Sequence, residues 1–188
     1  GRQCTLRRTD FTGARLDGAE LPGLLFAHAD LTGASLRGAN LTLAEFTATT
    51  TFDFARFDGA DLTGARLSGA RLRTTSFAGA DLTSASLDAT DAEGADFTGA
   101  RLDRTDFAQA RISGADFRGV TLRGIDLTVA ADADAHPLDL TDADLAGEPV
   151  AWLTARAGDQ KSFSAVRLDA ADLQGARFGR DAIADLPA

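Results

Sequence analysis

The sequence of 188 residues has few of the side chains that build cofactor sites or cross-links. It contains no methionine, no tyrosine, two histidines and one cysteine, Cys4, so no disulfide can form within the chain. Neither His28 nor His136 has a second ligand at metal-binding spacing, and no glycine-rich phosphate-binding motif is present. We therefore predict no metal, no cofactor and no catalytic residue.

Long apolar stretches are also missing. No run approaches the roughly 18 apolar residues that a membrane-spanning helix needs. The N-terminal stretch GRQCTLRRTDF lacks the apolar core of a signal peptide. We expect a cytoplasmic protein that does not contact a membrane, with an apolar content of 44% that suffices for the core of one domain.

The net charge is −9 and is distributed unevenly. It is +1 over residues 1–76, −4 over 77–127 and −6 over 128–188. Because phosphate binding requires clustered lysine and arginine, the acidic second half argues against direct binding to nucleic acid. It favours a basic protein partner, or serves solubility alone.

An apolar residue returns at every fifth position from Phe52 to Leu127, and of these positions only Ala92 lacks a large side chain. A small residue, usually alanine, stands two positions before each centre. A period of five fits neither an α-helix nor a β-strand and indicates a repeat architecture. We call the large apolar residue of each pentad its centre.

A period of twenty lies within the period of five. Four pentads would complete one coil and place identical centres directly above one another. The pattern predicts a four-sided solenoid whose centres and small residues point inward, with glycines in the tight turns between faces. The centres that repeat every twenty residues include Phe57, Phe77, Phe97 and Phe117, and also Leu62, Leu82, Leu102 and Leu122.

The pentad register changes once in the first half of the chain. Nine centres run from Leu6 to Phe46, and the next centre, Phe52, follows after six residues instead of five. An extra residue in a strand ladder makes a bulge. We expect a bulge at a corner within residues 47–54, and the alternative is a kink that a partner recognises.

Two segments resemble the pentapeptide-repeat proteins, whose motif is A(D/N)LXX: ADLTGASLRGANLTLAEF (29–46) and ADLTGARLSGARL (60–72). The resemblance covers residues 4–127 and, after a break, 138–145 and 163–178. It implies an all-β solenoid, a right-handed quadrilateral parallel β-helix of about seven coils.

We predict one domain over residues 1–188 with four parts. Pro149 and Gly158 suit the two ends of a short helix at 149–157, because proline is favoured at the first helical position and glycine after the last. The parts are a main solenoid (4–127), an interruption with a loop and this helix (128–162), a last coil (163–178) and a tail (179–188).

The resemblance also suggests a function. Some members of the family resemble B-form DNA and bind type II topoisomerases, which protects gyrase from quinolones or from topoisomerase-targeting natural products. It implies a non-enzymatic DNA mimic that binds DNA gyrase or topoisomerase IV, and end-to-end homodimerisation is a further expectation. The alternative is a structural scaffold or regulator that binds another protein and has no topoisomerase role.

Under either interpretation we expect the partner to contact the acidic second half and the interruption. An aspartate before a pentad centre can also simply brace the turn that follows it. Arginines interleave with these aspartates, which weakens a purely negative surface. The predicted partner-binding residues are Asp91, Asp96, Asp106, Asp116, Asp126, Asp132, Asp134 and Trp152.

Overall fold

A computed structural model describes residues 5–125 and a few positions beyond them, 138–139, 166–167, 171 and 174. The predicted helix at 149–157 and the tail at 179–188 lie outside the described residues. Two short parallel sheets are present. The first has the order β1 (Thr5–Arg7), β2 (Leu25–Ala27), β3 (Glu45–Phe46), and the second pairs β4 (Leu138–Asp139) with β5 (Val166–Arg167).

Most of the pairing between coils consists of single parallel bridges, one for each pentad. Arg15 pairs with Ser35, and Glu20 pairs with Asn40, twenty residues further on. Four such contacts for each twenty residues confirm the four-sided parallel solenoid. Residues 5–125 form six coils, at 5–24, 25–44, 45–65, 66–85, 86–105 and 106–125.

Each coil has four faces, which we number in chain order. A face is defined by the column of pentad centres behind it, and side chains immediately before and after each centre point outward. The centres are Leu6, Phe26, Phe46, Leu67, Leu87 and Phe107 on face 1; Phe11, Leu31, Phe52, Leu72, Ala92 and Ile112 on face 2; Leu16, Leu36, Phe57, Phe77, Phe97 and Phe117 on face 3; and Leu21, Leu41, Leu62, Leu82, Leu102 and Leu122 on face 4.

The interior is a set of stacked rows, as the period of twenty predicts. On face 3 the ring centroids of Phe57 and Phe77 lie 5.2 Å apart, and those of Phe77 and Phe97 also 5.2 Å, with interplanar angles of 9° and 5°. Phe117 continues the stack at 4.9 Å. These rings are fully buried, so each coil extends the core of the coil below.

The small inward positions make room for the large ones. Most are buried alanines, and several are buried threonines whose hydroxyls need a partner. Thr75 donates to the Phe52 carbonyl at 2.8 Å, and Thr105 donates to the Leu82 carbonyl at 2.8 Å. These two hydroxyls therefore join adjacent coils, whereas the Thr90 hydroxyl donates to the Leu87 carbonyl of its own coil.

Corners between faces use a left-handed backbone conformation two residues after the centre. Glycine, which adopts this conformation without strain, fills most corners, as the sequence predicts. Leu43 and Phe54 occupy it with φ values of 57° and 62°, and their side chains are 63% and 64% exposed. They are the exposed large apolar residues of the described chain.

The register change forms a corner, as predicted. Asp30 pairs with Thr51, twenty-one residues later; the spacing stays at twenty-one for one full turn, up to Glu45 with Arg66, and returns to twenty from Thr51 with Arg71. The His28 N–H donates to the Thr47 hydroxyl at 2.9 Å, and His28 Nδ1 lies 2.5 Å from the Thr49 hydroxyl oxygen. The extra residue is therefore held by hydrogen bonds to the coil below.

Candidate functional site

The outer surface is where the described solenoid can interact. The inward rows from Phe26 to Leu122 are packed with apolar side chains and threonines, which leaves the interior closed. Functional pockets are usually concave and mostly apolar with a few converging polar groups. The surface does carry one open pocket of about 430 Å³, lined by Thr83, Arg101, Asp103, Arg104, Arg123 and Gly124.

Four of the predicted partner-binding aspartates lie within the described residues, and they occupy three faces. Asp106 is on face 1 and Asp91 on face 2, whereas Asp96 and Asp116 are both on face 3. Asp96 and Asp116 pair directly across adjacent coils, so the structure brings these two together. The other three aspartates, Asp126, Asp132 and Asp134, and the predicted contact residue Trp152 lie outside the described residues.

These carboxylates brace their own turns. Asp96 accepts a hydrogen bond from the Thr98 N–H at 2.9 Å, and Asp116 accepts one from the Arg118 N–H at 3.0 Å. The Arg118 guanidinium also donates to both Asp116 oxygens, and this hydrogen bonding lowers the pKa of Asp116. Asp116 therefore stays ionised and still contributes negative charge to the surface.

Arginines neutralise much of the acidic surface. On face 2, Asp91 Oδ2 lies 2.7 Å from Arg73 Nε and 3.9 Å from Arg111 Nη1, and Glu93 contacts both arginines. Residues 5–125 carry 13 arginines and 16 carboxylates, a net charge of −3. Most of the charge of −9 therefore lies outside this part of the chain.

Sequence reasoning missed the two exposed apolar side chains. Both stand at the last position of a pentad, where glycine is usual, and a large apolar residue at that position was an available signal. Leu43 lies at the corner that follows face 4, and Phe54 lies at the corner between faces 2 and 3. Because the two corners are opposite each other, these side chains do not form one patch.

The described residues hold neither a cluster of potential metal ligands nor a helix long and apolar enough to cross a membrane.

Comparisons with known proteins identify the repeat. The family model for pentapeptide repeats matches eight copies over residues 2–26, 25–64, 55–91 and 93–128. A search of curated proteins finds no match.

Among solved structures, the pentapeptide repeat protein Rfr23 from the cyanobacterium Cyanothece 51142 aligns with a TM-score of 0.55 and 24% identity. The alignment covers 56% of this chain and 85% of Rfr23. HetL from Nostoc sp. strain PCC 7120, a protein involved in heterocyst differentiation regulation, aligns with a TM-score of 0.46 and 24% identity. This alignment covers 92% of this chain and 84% of HetL. QnrB1, a plasmid-mediated fluoroquinolone resistance protein, aligns with a TM-score of 0.39 and 18% identity. This alignment covers 95% of this chain and 91% of QnrB1.

Pentapeptide-repeat proteins fold as right-handed quadrilateral β-helices and are generally structural or binding proteins. The family model matches well over half of the chain, and the pentads it matches are those whose centres form the stacked rows of the solenoid. This chain therefore belongs to the pentapeptide-repeat family.

Proposed function

We propose that this chain is a non-enzymatic protein that binds a type II DNA topoisomerase, DNA gyrase or topoisomerase IV, at the surface that otherwise holds DNA. The observation that carries the proposal is the closed interior of the described coils, residues 5–125, whose acidic side chains point away from the apolar rows. Such a rod presents a long outer surface to a partner, and its described coils enclose no internal cavity for a substrate. Binding of this kind would protect the topoisomerase from quinolones or related inhibitors.

The proposed mimicry depends on the shape and overall field of the rod. Stacked rings on face 3 repeat at 4.9 to 5.2 Å, whereas duplex phosphates rise by about 3.4 Å per strand. Individual carboxylates therefore do not reproduce individual phosphates. The field of the whole acidic chain would guide its approach to a basic DNA-binding groove.

The test is a gyrase supercoiling assay with the full chain, with and without a fluoroquinolone. We expect micromolar protein to inhibit supercoiling or to relieve drug inhibition, with an effect that weakens as salt rises. The matched variant is Asp96→Asn with Asp116→Asn. Asn40 already braces a turn through the Thr42 N–H at 3.1 Å, so asparagine should keep the fold while removing charge. Normal supercoiling and full drug sensitivity at every protein concentration would refute the proposal.

A second candidate is a scaffold or regulator that binds another protein. The near-neutral charge of residues 5–125 and its arginine–carboxylate pairs favour this candidate, because a DNA mimic needs a consistently negative surface. Capture of a defined protein from lysate, together with no effect on gyrase, would favour it. Both candidates place the protein in the cytoplasm, and the proposed end-to-end dimer is compatible with either.

A further inference from the structure

One outward column of face 3, the residues before the centres, changes sign along the rod: Arg15 and Arg56 lie on coils 1 and 3, whereas Asp96 and Asp116 lie on coils 5 and 6. The column after the centres is mixed, with Asp17, Arg37 and Asp58 on coils 1 to 3 and Arg118 on coil 6. Every member of the column before the centres is fixed by direct bridges. That column runs from Arg15 through Ser35, Arg56, Ser76 and Asp96 to Asp116.

A second copy of face 3 laid antiparallel on the first would match these charges. The two-fold axis lies in the plane of the interface, perpendicular to the rod, at the level between coils 3 and 4. It places coil 1 opposite coil 6 of the other copy, and each column opposite the same column of the other copy. Arg15 then faces Asp116 of the other copy, and Asp17 faces its Arg118. Each contact occurs twice, which gives four pairs of opposite charge, and they extend the Asp116–Arg118 ion pair already present within each copy.

The rest of face 3 contains no repulsive contact in this arrangement. Each remaining charged residue faces a polar or small one, so the column pattern is self-complementary. The opposed residues are Ser35 with Asp96, Arg37 with Thr98, Arg56 with Ser76, and Asp58 with Ala78.

Faces 2 and 4 do not share this property, and face 1 does, with Glu45 opposite Arg66. On face 2 the same operation sets Asp30 against Asp91, and on face 4 it sets Asp61 against Asp81 next to the axis. Like charges placed directly opposite each other weaken association. Face 1 ends at the corner that holds the extra residue near Thr49, which interrupts its regular surface.

The edges of face 3 support close contact. The corner that follows it has glycine in all six coils, so no side chain projects there: Gly18, Gly38, Gly59, Gly79, Gly99 and Gly119. The corner at the other edge of face 3, between faces 2 and 3, carries Phe54, which is 64% exposed and lies on coil 3, next to the axis. The two-fold operation brings both copies of Phe54 to the same edge, where they can cover each other.

We propose that face 3 binds a second copy of this chain side by side and antiparallel, with the two Phe54 side chains at the centre of one edge. Six coils at ~4.8 Å spacing and a face about 10 Å wide give roughly 300 Å² for each copy. Stable interfaces bury about 800 Å² per partner, so this dimer is weak and sensitive to salt. It leaves both ends of the rod free and is separate from an end-to-end dimer.

A charge-swap experiment on the full chain tests the interface. Sedimentation velocity at low salt should show wild-type association that rises with concentration between ~10 µM and 1 mM. Arg15→Asp alone sets two carboxylates against each other, and Asp116→Arg alone sets two guanidinium groups together, so each variant should associate at least about tenfold more weakly. An equimolar mixture of the two variants restores pairs of opposite charge and should recover wild-type association.

Recovery in the mixture is the decisive result, because a folding defect in either variant would not produce it. Monomeric wild-type protein at 1 mM would overturn the proposal, as would a mixture that stays as weak as its components. If thermal melting shows that Asp116→Arg fails to fold, Asp17→Arg and Arg118→Asp form an equivalent pair.

The exposed apolar residues provide a matched control. Phe54→Gly and Leu43→Gly both place glycine at a left-handed corner, but Leu43 lies at the corner opposite Phe54. Phe54→Gly should weaken association by about tenfold, and Leu43→Gly should leave it unchanged. Equal effects of the two substitutions would exclude face 3 as the interface.

Discussion

Replacing Phe77 by alanine should destabilise the solenoid more than any change on its surface. The Phe77 ring is fully buried and stacks on Phe57 below and on Phe97 above, both at 5.2 Å. Alanine removes these contacts from the middle of the rod and leaves a cavity between two coils. Because each coil contacts only its neighbours, the loss also uncouples the two halves of the rod.

The magnitude follows from burial and stacking. Truncation of a buried phenylalanine to alanine costs about 3–5 kcal/mol. Each lost aromatic pair adds about 0.5–1.5 kcal/mol beyond the loss of buried area. With two pairs lost, we expect a loss of about 4–8 kcal/mol in the free energy of unfolding. Phe77→Leu should cost only about 1–2 kcal/mol, since the all-leucine column of face 4 shows that leucine can stack at this spacing.

Urea unfolding followed by far-ultraviolet circular dichroism measures these losses. Phe54→Ala is the control, because that ring is 64% exposed and its removal should cost less than about 1 kcal/mol. A loss below about 2 kcal/mol for Phe77→Ala would refute the claim that stacked rows hold the coils together. An equal loss for the two alanine variants would refute it as well.

Three further predictions concern corners, acid and buried hydroxyls. Gly64→Ala should cost about 1–2 kcal/mol, because φ is +66° and the new Cβ would lie 2.8 Å from Leu43 Cδ2; thermal melting measures it. The pKa of Asp30 lies below its ordinary value of 3.8 because Thr32 donates to the carboxylate. Its contribution to stability is complete above pH 3.8 and is lost as pH falls through the lowered pKa, so Asp30→Asn should flatten the acid limb of a stability–pH curve. Thr75→Val should cost about 1 kcal/mol in urea unfolding through the lost hydrogen bond to the adjacent coil.

The period of the sequence was sufficient to predict the described fold. Stacking of Phe57 on Phe77 follows from a spacing of twenty, and the bulge near Thr49 follows from one extra residue between Phe46 and Phe52. Inward positions are predictable because a narrow dry interior accepts only a large apolar residue beside a small one. The same spacing of twenty accounts for the position of Asp96 and Asp116 on one face.

The function of the outer surface was much harder to predict. Sequence showed the aspartates but not their hydrogen bonds, and the Asp116 carboxylate is shared between the Arg118 backbone and guanidinium. Asp91 similarly interacts with Arg73 from the coil below and Arg111 from the coil above. Charge counts along the chain therefore overestimate how negative each face is, because pairing occurs between residues about twenty apart.

Departures from the repeat are the features that can distinguish this rod from others of its family. A residue that merely satisfies the pentad pattern contributes to stability in the same way in every coil. Phe54 does the opposite, since it occupies a left-handed corner at a cost of about 1–2 kcal/mol and exposes its ring to water. Glycine at this corner would remove both penalties, as Gly33 does one coil earlier on the same corner. Leu43 bears the same two penalties at the far corner of the rod, so exposure alone does not mark an interface; Phe54 differs because the antiparallel arrangement of face 3 would bury it.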